Sequence, residues 1–310
     1  MVKLVLIKLV RAVATIAFCV TLVFVVLRVS GDPVVSLLPE GTPPDVLAVY
    51  RQRWGLDQPL PVQYLRYVQA VLQGDFGRSR ADGRDAVAVV AERVPATLLL
   101  GGLSFALSLA IGLPLGVLAA VRRNTATDRL AMGLAVAGYA LPHYLLGILL
   151  ILLFSMTLRL LPSSGSGTVW HLVMPVLTLG TAAAGTIARF TRTAMLEVMG
   201  RPFLRTAAGK GARRGIVIRR HALPNAAIPV VTVIGFQLGG LVGGALVTET
   251  VFAWPGVGRL LVTAVAERDL AVVQTIVLLV AATMVTMNFL VDLLYGLLDP
   301  RIRGGDVRSH

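Results

Sequence analysis

Charge is what this chain has least of. Only 15% of its 310 residues are Asp, Glu, Lys or Arg, against roughly 25% in an ordinary soluble domain. Acid is the scarcer sign, with 16 acidic residues against 29 basic ones. Hydrophobic residues make up 56% and the mean hydropathy is +0.79, more apolar material than one soluble core of this length can bury. Cysteine is nearly absent. The one thiol, Cys19, lies in an apolar run and excludes a disulfide within the chain or a multi-cysteine metal site. Histidine is as sparse, and His143, His171, His221 and His310 show no metal-ligand spacing. No Ser/His/Asp set, carboxylate pair or phosphate-cradling glycine loop occurs, so no catalytic residue is assigned. The formal charge of +13 raises the question of nucleic acid, and where that charge sits decides it.

What the chain does have is long uncharged runs. A bilayer core of about 30 Å needs about 20 apolar residues as helix, because every backbone polar group must be bonded within the segment. Residues 12–27, 94–121, 130–158, 160–188, 222–248 and 270–291 are free of acidic and basic side chains. The first extends to 4–27 if Lys8 and Arg11 snorkel. The fourth opens on a turn composition, Leu161-Pro-Ser-Ser-Gly-Ser-Gly-Thr168, which places its helix start near His171. About six transmembrane helices are therefore expected, in an all-α polytopic membrane protein. The first run reads as an uncleaved anchor rather than a signal peptide, being long and lacking a small-x-small cleavage site. The fifth carries Gly235, Gly239, Gly240, Gly243 and Gly244, a small-residue face suited to close helix packing in lipid.

The basic residues give the orientation. With the N-terminus in the cytoplasm, the alternating segments on that side hold the whole positive excess. Residues 189–224 alone carry nine basic side chains against Glu197, whereas residues 28–95, on the other side, balance eight basic against eight acidic. Both termini are then cytoplasmic. The charge is a record of topology, and lipid rather than nucleic acid is the expected surroundings. Three parts follow: an N-terminal transmembrane helix in 1–30, an external segment in 31–93, and a core of five transmembrane helices in 94–310.

Within 31–93, turn chemistry at Gly31-Asp-Pro33 and Pro39-Glu-Gly-Thr-Pro-Pro44 precedes a helical portion at 45–54. Tyr64, Leu65, Val68, Val71 and Leu72 recur at helical spacing, predicting an amphipathic surface helix over 63–73. The segment is read equally as a cap over the helix ends or a docking surface for an external partner. Thr250-Val-Phe-Ala-Trp-Pro-Gly-Val-Gly258 is expected to be a formed turn, either re-entrant or with Trp254 anchored in an aromatic belt. Pro142-His143 should kink the third span. Among polar groups in the spans, Gln237 and Asn288 serve either as interhelical glue or as contacts to a passing substrate. Gln237, Asn288, Glu249 and Trp254 are the candidate translocation-pathway residues.

The cytoplasmic loop 191–224 is long and basic, with small residues clustered at Ala207, Ala208, Gly209, Gly211 and Ala212 that let another surface approach the backbone. A short helix is expected over 203–210, capped by Gly211, then a second over 215–223 ending before Pro224. The run Arg205-Thr-Ala-Ala-Gly-Lys-Gly211, with Leu223-Pro224 twelve residues further on, resembles the EAA motif of ABC importer permeases. Other stretches are similar to the dipeptide/oligopeptide/nickel branch: Gly55-Leu-Asp-Gln-Pro, Gly74-Asp-Phe-Gly, Pro175-Val-Leu-Thr-Leu-Gly, Arg189-Phe-Thr-Arg, His221-Ala-Leu-Pro-Asn, Glu249-Thr-Val-Phe-Ala-Trp-Pro-Gly and the closing Asp299-Pro-Arg-Ile-Arg. Arg205 and Thr206 stand where the motif's glutamate is expected, as is common in that branch.

The resemblance implies a type I ABC importer permease fold in a bacterial inner membrane, forming half of a translocation pathway for dipeptides or oligopeptides. It implies a second, similar permease, two ABC ATPases and an extracytoplasmic substrate-binding protein as partners. The coupling loop to an ATPase would be Arg205, Thr206, Ala207, Ala208, Gly209, Lys210, Gly211, Leu223 and Pro224. ATP and Mg would act on the partner ATPases, with no cofactor or metal on this chain. A nickel chelate, glutathione or haem is the alternative cargo. A secondary transporter is a distant alternative, for which internal repeats and conspicuous intramembrane acids are wanting.

Overall fold

The computed structural model describes residues 2–29, 34, 41–53 and 56–298. The expected turns at Gly31–Pro33 and at Pro39-Glu40, the Gly55 that opens one family-like stretch, and the closing Asp299–Arg303 lie outside the described residues. Among the described residues all regular structure is helical, apart from one isolated bridge between Arg78 and Asp85. The chain divides into two compact units, one drawn from residues up to 95 together with 259–286, the other from 96–258 and the stretch after 286.

The first unit holds α1 (Val2–Val29), α2 (Pro44–Arg53), α3 (Leu60–Leu72), α4 (Ala86–Ala91), α11 (Val257–Ala266) from residue 259 onward and the first half of α12 (Leu270–Leu298). The helices expected over 45–54 and 63–73 are α2 and α3. Tyr64 of α3 bonds the Thr21 hydroxyl of α1 at 2.7 Å and meets the Phe24 ring edge-on at 5.2 Å. The loop 74–85 is knit to the segment before α12. The buried Asp269 carboxylate accepts from Ser79 Oγ at 2.6 Å and from the Arg80 amide at 2.8 Å, and caps α12 through the Val272 amide. The Gln274 side chain donates to the Phe76 carbonyl. These bonds group 259–286 with the N-terminal stretch, whereas a split by membrane crossings ends the external part at 93.

The second unit is built around α8 (Trp170–Met199), which packs against α5 (Val94–Val121), α6 (Ala126–Ala140) and α10 (Leu223–Val251). Backbone nearly touches backbone at the crossings. A Cβ at Gly112 of α5 would come within 2.8 Å of the Ala184 carbonyl, one at Gly180 within 2.9 Å of the Ser104 carbonyl, and one at Gly185 would overlap the Ala135 carbonyl. Small residues thus set the helix spacing where lipid offers no hydrophobic drive, and they do so on α5, α6 and α8. On α10 Gly235 is buried; the surroundings of Gly239, Gly240, Gly243 and Gly244 lie outside the described residues.

Two helix breaks differ from expectation. The kink at Pro142-His143 is a full corner: α6 and α7 (His143–Leu150, continued by the π-helical Ile151–Thr157) are bent by 100°. Conversely, the helix expected to stop before Pro224 does not stop. Arg214–Ile216 passes through a π-helical stretch, Val217–Ala222, straight into α10. Pro224 has no amide hydrogen and would clash with the carbonyl one turn back, and the widened π-turn just before it relieves both problems.

Against about six expected spans, the described residues hold four helices long and apolar enough to cross a membrane: Ala86–Val121, Trp170–Met199, Arg214–Leu238 and Leu270–Phe289. The bent pair makes a fifth if counted as one span, and the apolar part of α1, Val10–Val26, is shorter than a full crossing.

Candidate functional site

The basic loop forms a compact helical arm. α8 runs past its apolar part to Met199, and after a turn α9 (Pro202–Gly209) begins with proline in its first turn, where no amide is needed. It ends at Gly211, whose φ of +84° is the left-handed conformation glycine adopts freely. The Gly211 amide donates to the Ala208 carbonyl at 2.9 Å and the Ala212 amide to the Ala207 carbonyl at 3.3 Å, the double closure of a Schellman motif. The helix expected over 203–210, with its glycine cap, is therefore present.

One side chain of α9 is buried. Leu204 enters a core with Ala120 of α5, Ala194 and Met195 of α8, and Ala222, Ala226 and Val230 at the start of α10. Arg205, Thr206, Ala208, Gly209, Lys210 and Gly211 are exposed, Ala207 is half-buried, and Phe203 stands 43% exposed. Nothing lies within 4 Å of a Cβ placed at Gly209 or Gly211. Leu223 is half-buried and Pro224 exposed, within the continuous helix. Arg214 ties the arm to the end of α5 through the Val121 carbonyl at 3.1 Å. Nearby, the Arg192 guanidinium of α8 grips Asp128 of α6 in a two-pronged pair at 2.7 and 2.8 Å. Bidentate geometry of this kind fixes orientation as well as charge.

The other candidate residues divide. Glu249 and Trp254 meet in one cluster at the far end of α10. Glu249 is fully buried; one carboxylate oxygen accepts from Thr97 Oγ at 2.6 Å and the other from the Gly258 amide at 2.7 Å. Thr97 in turn accepts from the Val257 amide at 2.8 Å. Trp254 is 3% exposed and its indole donates to the Ala96 carbonyl at 2.9 Å. The turn is formed as expected, but the belt reading of Trp254 is overturned: its N–H finds a partner in α5 and its ring is covered. Gly256 sits against the Glu249 carboxylate with no room for a Cβ. Gln237, twelve residues back along α10 (about 18 Å), is half-buried, and Asn288 of α12 is exposed. Neither joins the cluster. Leu204, Thr97, Asp128 and Arg192 were not singled out from the sequence; only the grouping of Arg189-Phe-Thr-Arg192 hinted at one of them.

The family model for binding-protein-dependent transport system inner membrane components matches residues 112–304, and the model of their N-terminal portion matches residues 1–101. The chain belongs to this permease family. The permease is 42% identical over 304 residues to the glutathione transport system permease protein GsiC of Salmonella paratyphi A, across 98% of this chain and 99% of that protein. It is also 42% identical over 310 residues to the dipeptide transport system permease protein DppB of Escherichia coli, across 89% of this chain and 91% of that protein. Among solved structures, the inward-facing MetNI methionine ABC transporter matches with a TM-score of 0.60 over 68% of this permease and 96% of that chain. Identity there is 23%, so the likeness speaks for the fold: that of a type I importer permease.

The permease is thus the membrane subunit of an ABC importer, a multi-pass inner-membrane protein and not an enzyme. Membership of the family implies an ATPase, a substrate-binding protein and a second permease as its partners.

Proposed function

We propose that this permease carries peptides, dipeptides and short oligopeptides, glutathione among them, and that α9 is the element through which ATP hydrolysis acts on it. The observation that carries the second part is the packing of α9: a helix held by Leu204 and bare on its other faces, with Phe203 standing out from it. Exposed aromatic surface on a short, well-formed helix suits a groove on a soluble partner. Arg205, Thr206, Ala207, Ala208, Gly209, Lys210 and Gly211 supply that surface, and the open space above the two glycines admits a close approach. Leu223 and Pro224 open α10 behind it, so that a displacement of α9 would pass into α10. Two ATPases, one under each of two similar permeases, would hydrolyse MgATP, and this chain holds no cofactor of its own.

For the cargo, the support is similarity to both a glutathione and a dipeptide permease. A binding protein outside would deliver it. Gln237 and Asn288 remain proposed lining residues of the pathway. Glu249 and Trp254 act from behind the surface, by shaping the outer turn.

The test is reconstitution of the permease with its ATPases, second permease and binding protein in vesicles. ATP-dependent uptake of a dipeptide is expected. In the Gly211→Asp variant uptake should be lost, with the protein still inserted but no longer co-purifying with the ATPase. Normal ATPase association and transport in that variant would exclude α9 as the coupling element.

A further inference from the structure

One charge on α8, counted from the sequence with the cytoplasmic segment 189–224, is left unused by anything above. On α8, Thr186, Arg189, Thr193 and Glu197 recur at helical spacing, Thr186 half-buried and the other three exposed, while Gly180, Ala184, Ile187, Ala188 and Thr191 are buried against the neighbouring helices. The two threonine hydroxyls bond back to the carbonyls of Ala182 and Arg189, and Glu197 pairs with Arg201, so the guanidinium of Arg189 is the group on this face that is foreign to lipid.

The guanidinium carbon of Arg189 lies 5.0 Å from the centre of the Tyr139 ring and 5.4 Å from that of Phe190, within cation–π range. Tyr139 is eleven residues along α6 from Asp128, about 16 Å, and Asp128 is the partner of Arg192 beside the basic loop. The Arg189 side chain therefore climbs away from the cytoplasmic end, into the depth of the span. Snorkelling would send it the other way. A guanidinium never loses its charge, and at this depth it is tolerated against water or protein, not hydrocarbon. Among the described residues no carboxylate pairs with it, since Asp128 is taken by Arg192 and Glu197 by Arg201.

We propose that Arg189, held on Tyr139, is a transient binding point for the carboxylate of the cargo on its way through the membrane. The inference rests on the peptide reading above: every peptide with a free C-terminus carries that group. The planar guanidinium presents two parallel N–H donors that match a carboxylate, and ring contact pre-orients the fork without occupying its donor edge. One such contact in a wet path is weak enough to release the cargo, as conduction demands. Arg189 is a specificity-determining residue in this scheme.

The test uses the complete reconstituted transporter. R189Q should lower uptake of a free-acid dipeptide about tenfold and R189K by less than threefold, because the lysine ammonium keeps the charge without the fork. In C19S protein, the thiol of T186C, one turn along α8 from an intact Arg189, should react with a negatively charged, water-soluble thiol reagent, and at least threefold more slowly during turnover with dipeptide than with ATP alone. Unchanged uptake by R189Q, equal losses in R189Q and R189K, an inert thiol, or labelling that dipeptide does not slow would each overturn the assignment of Arg189. Absence of dipeptide uptake by the unaltered transporter would instead overturn the peptide reading itself.

Discussion

At the outer end of α10 the chain turns through 252–258 under three separate ties to α5 and α10: Trp254 to Ala96, Thr97 to Val257, and Glu249 to both Thr97 and Gly258. At the inner end, α9 reaches the same body of helices through the burial of Leu204, and its own backbone is closed off by Gly211. The outer turn is therefore part of the packed interior. Its polar groups are dry and fully engaged, so each is costly to disturb. The inner arm is a solvated handle with one apolar root worth about 2 kcal/mol of burial. The contrast fits the role proposed for α9: a fixed shape at one end of α10, and at the other a surface a partner could grip.

Substitutions can break or sharpen this contrast. The largest effect is expected from Gly256→Val. Its side chain would overlap the Glu249 carboxylate, and the loss should be about 4 kcal/mol or more, seen as failure to recover folded protein in detergent. Glu249→Ala comes next. It strands the Thr97 hydroxyl and the Gly258 amide in a buried site and should cost about 3 kcal/mol in thermal unfolding. If either variant unfolds like the unaltered permease, the outer turn is not the rigid element described here.

The inner arm should respond differently. Leu204→Ala is expected to cost about 2 kcal/mol, felt locally as faster hydrogen exchange in α9, while the unfolding temperature of the remaining helices changes little. Global unfolding on that substitution would mean the arm and the helix core are one unit. The smallest effect on stability belongs to Phe203→Ala, within about 0.5 kcal/mol, since the ring is 43% exposed. Its affinity for the ATPase should nonetheless fall about tenfold, as for an exposed aromatic anchor. An unchanged affinity would move the contact elsewhere on the arm.

Much of the molecule was legible beforehand. Apolar runs marked the long helices because length and hydropathy are properties of the chain alone, and the basic loop stood out because charge stays in water. Gly211 as a helix stop was legible for a similar reason: a left-handed cap is a local backbone event. The limits of local reasoning are equally specific. Pro142 and Pro224 are both prolines in helical stretches, yet one sits at a 100° corner and the other in an unbroken helix. A π-turn precedes Pro224, and Ala222 beside it is buried in one core with side chains of α5, α8 and α9.

By itself, then, the sequence determined that this is a helical membrane permease, where its long apolar helices run, and which loop is long and basic. Each follows from composition, charge or local turn chemistry. Only the tertiary structure decided that Glu249 and Trp254 are interior ties, that Leu204 roots α9, and that Arg189 lies over the Tyr139 ring. Those outcomes depend on partners 50 to 160 residues away, at Thr97, Ala96, Ala120 and Tyr139. A side chain's role in a membrane depends on what covers it, and neighbouring residues in the chain do not say what that will be.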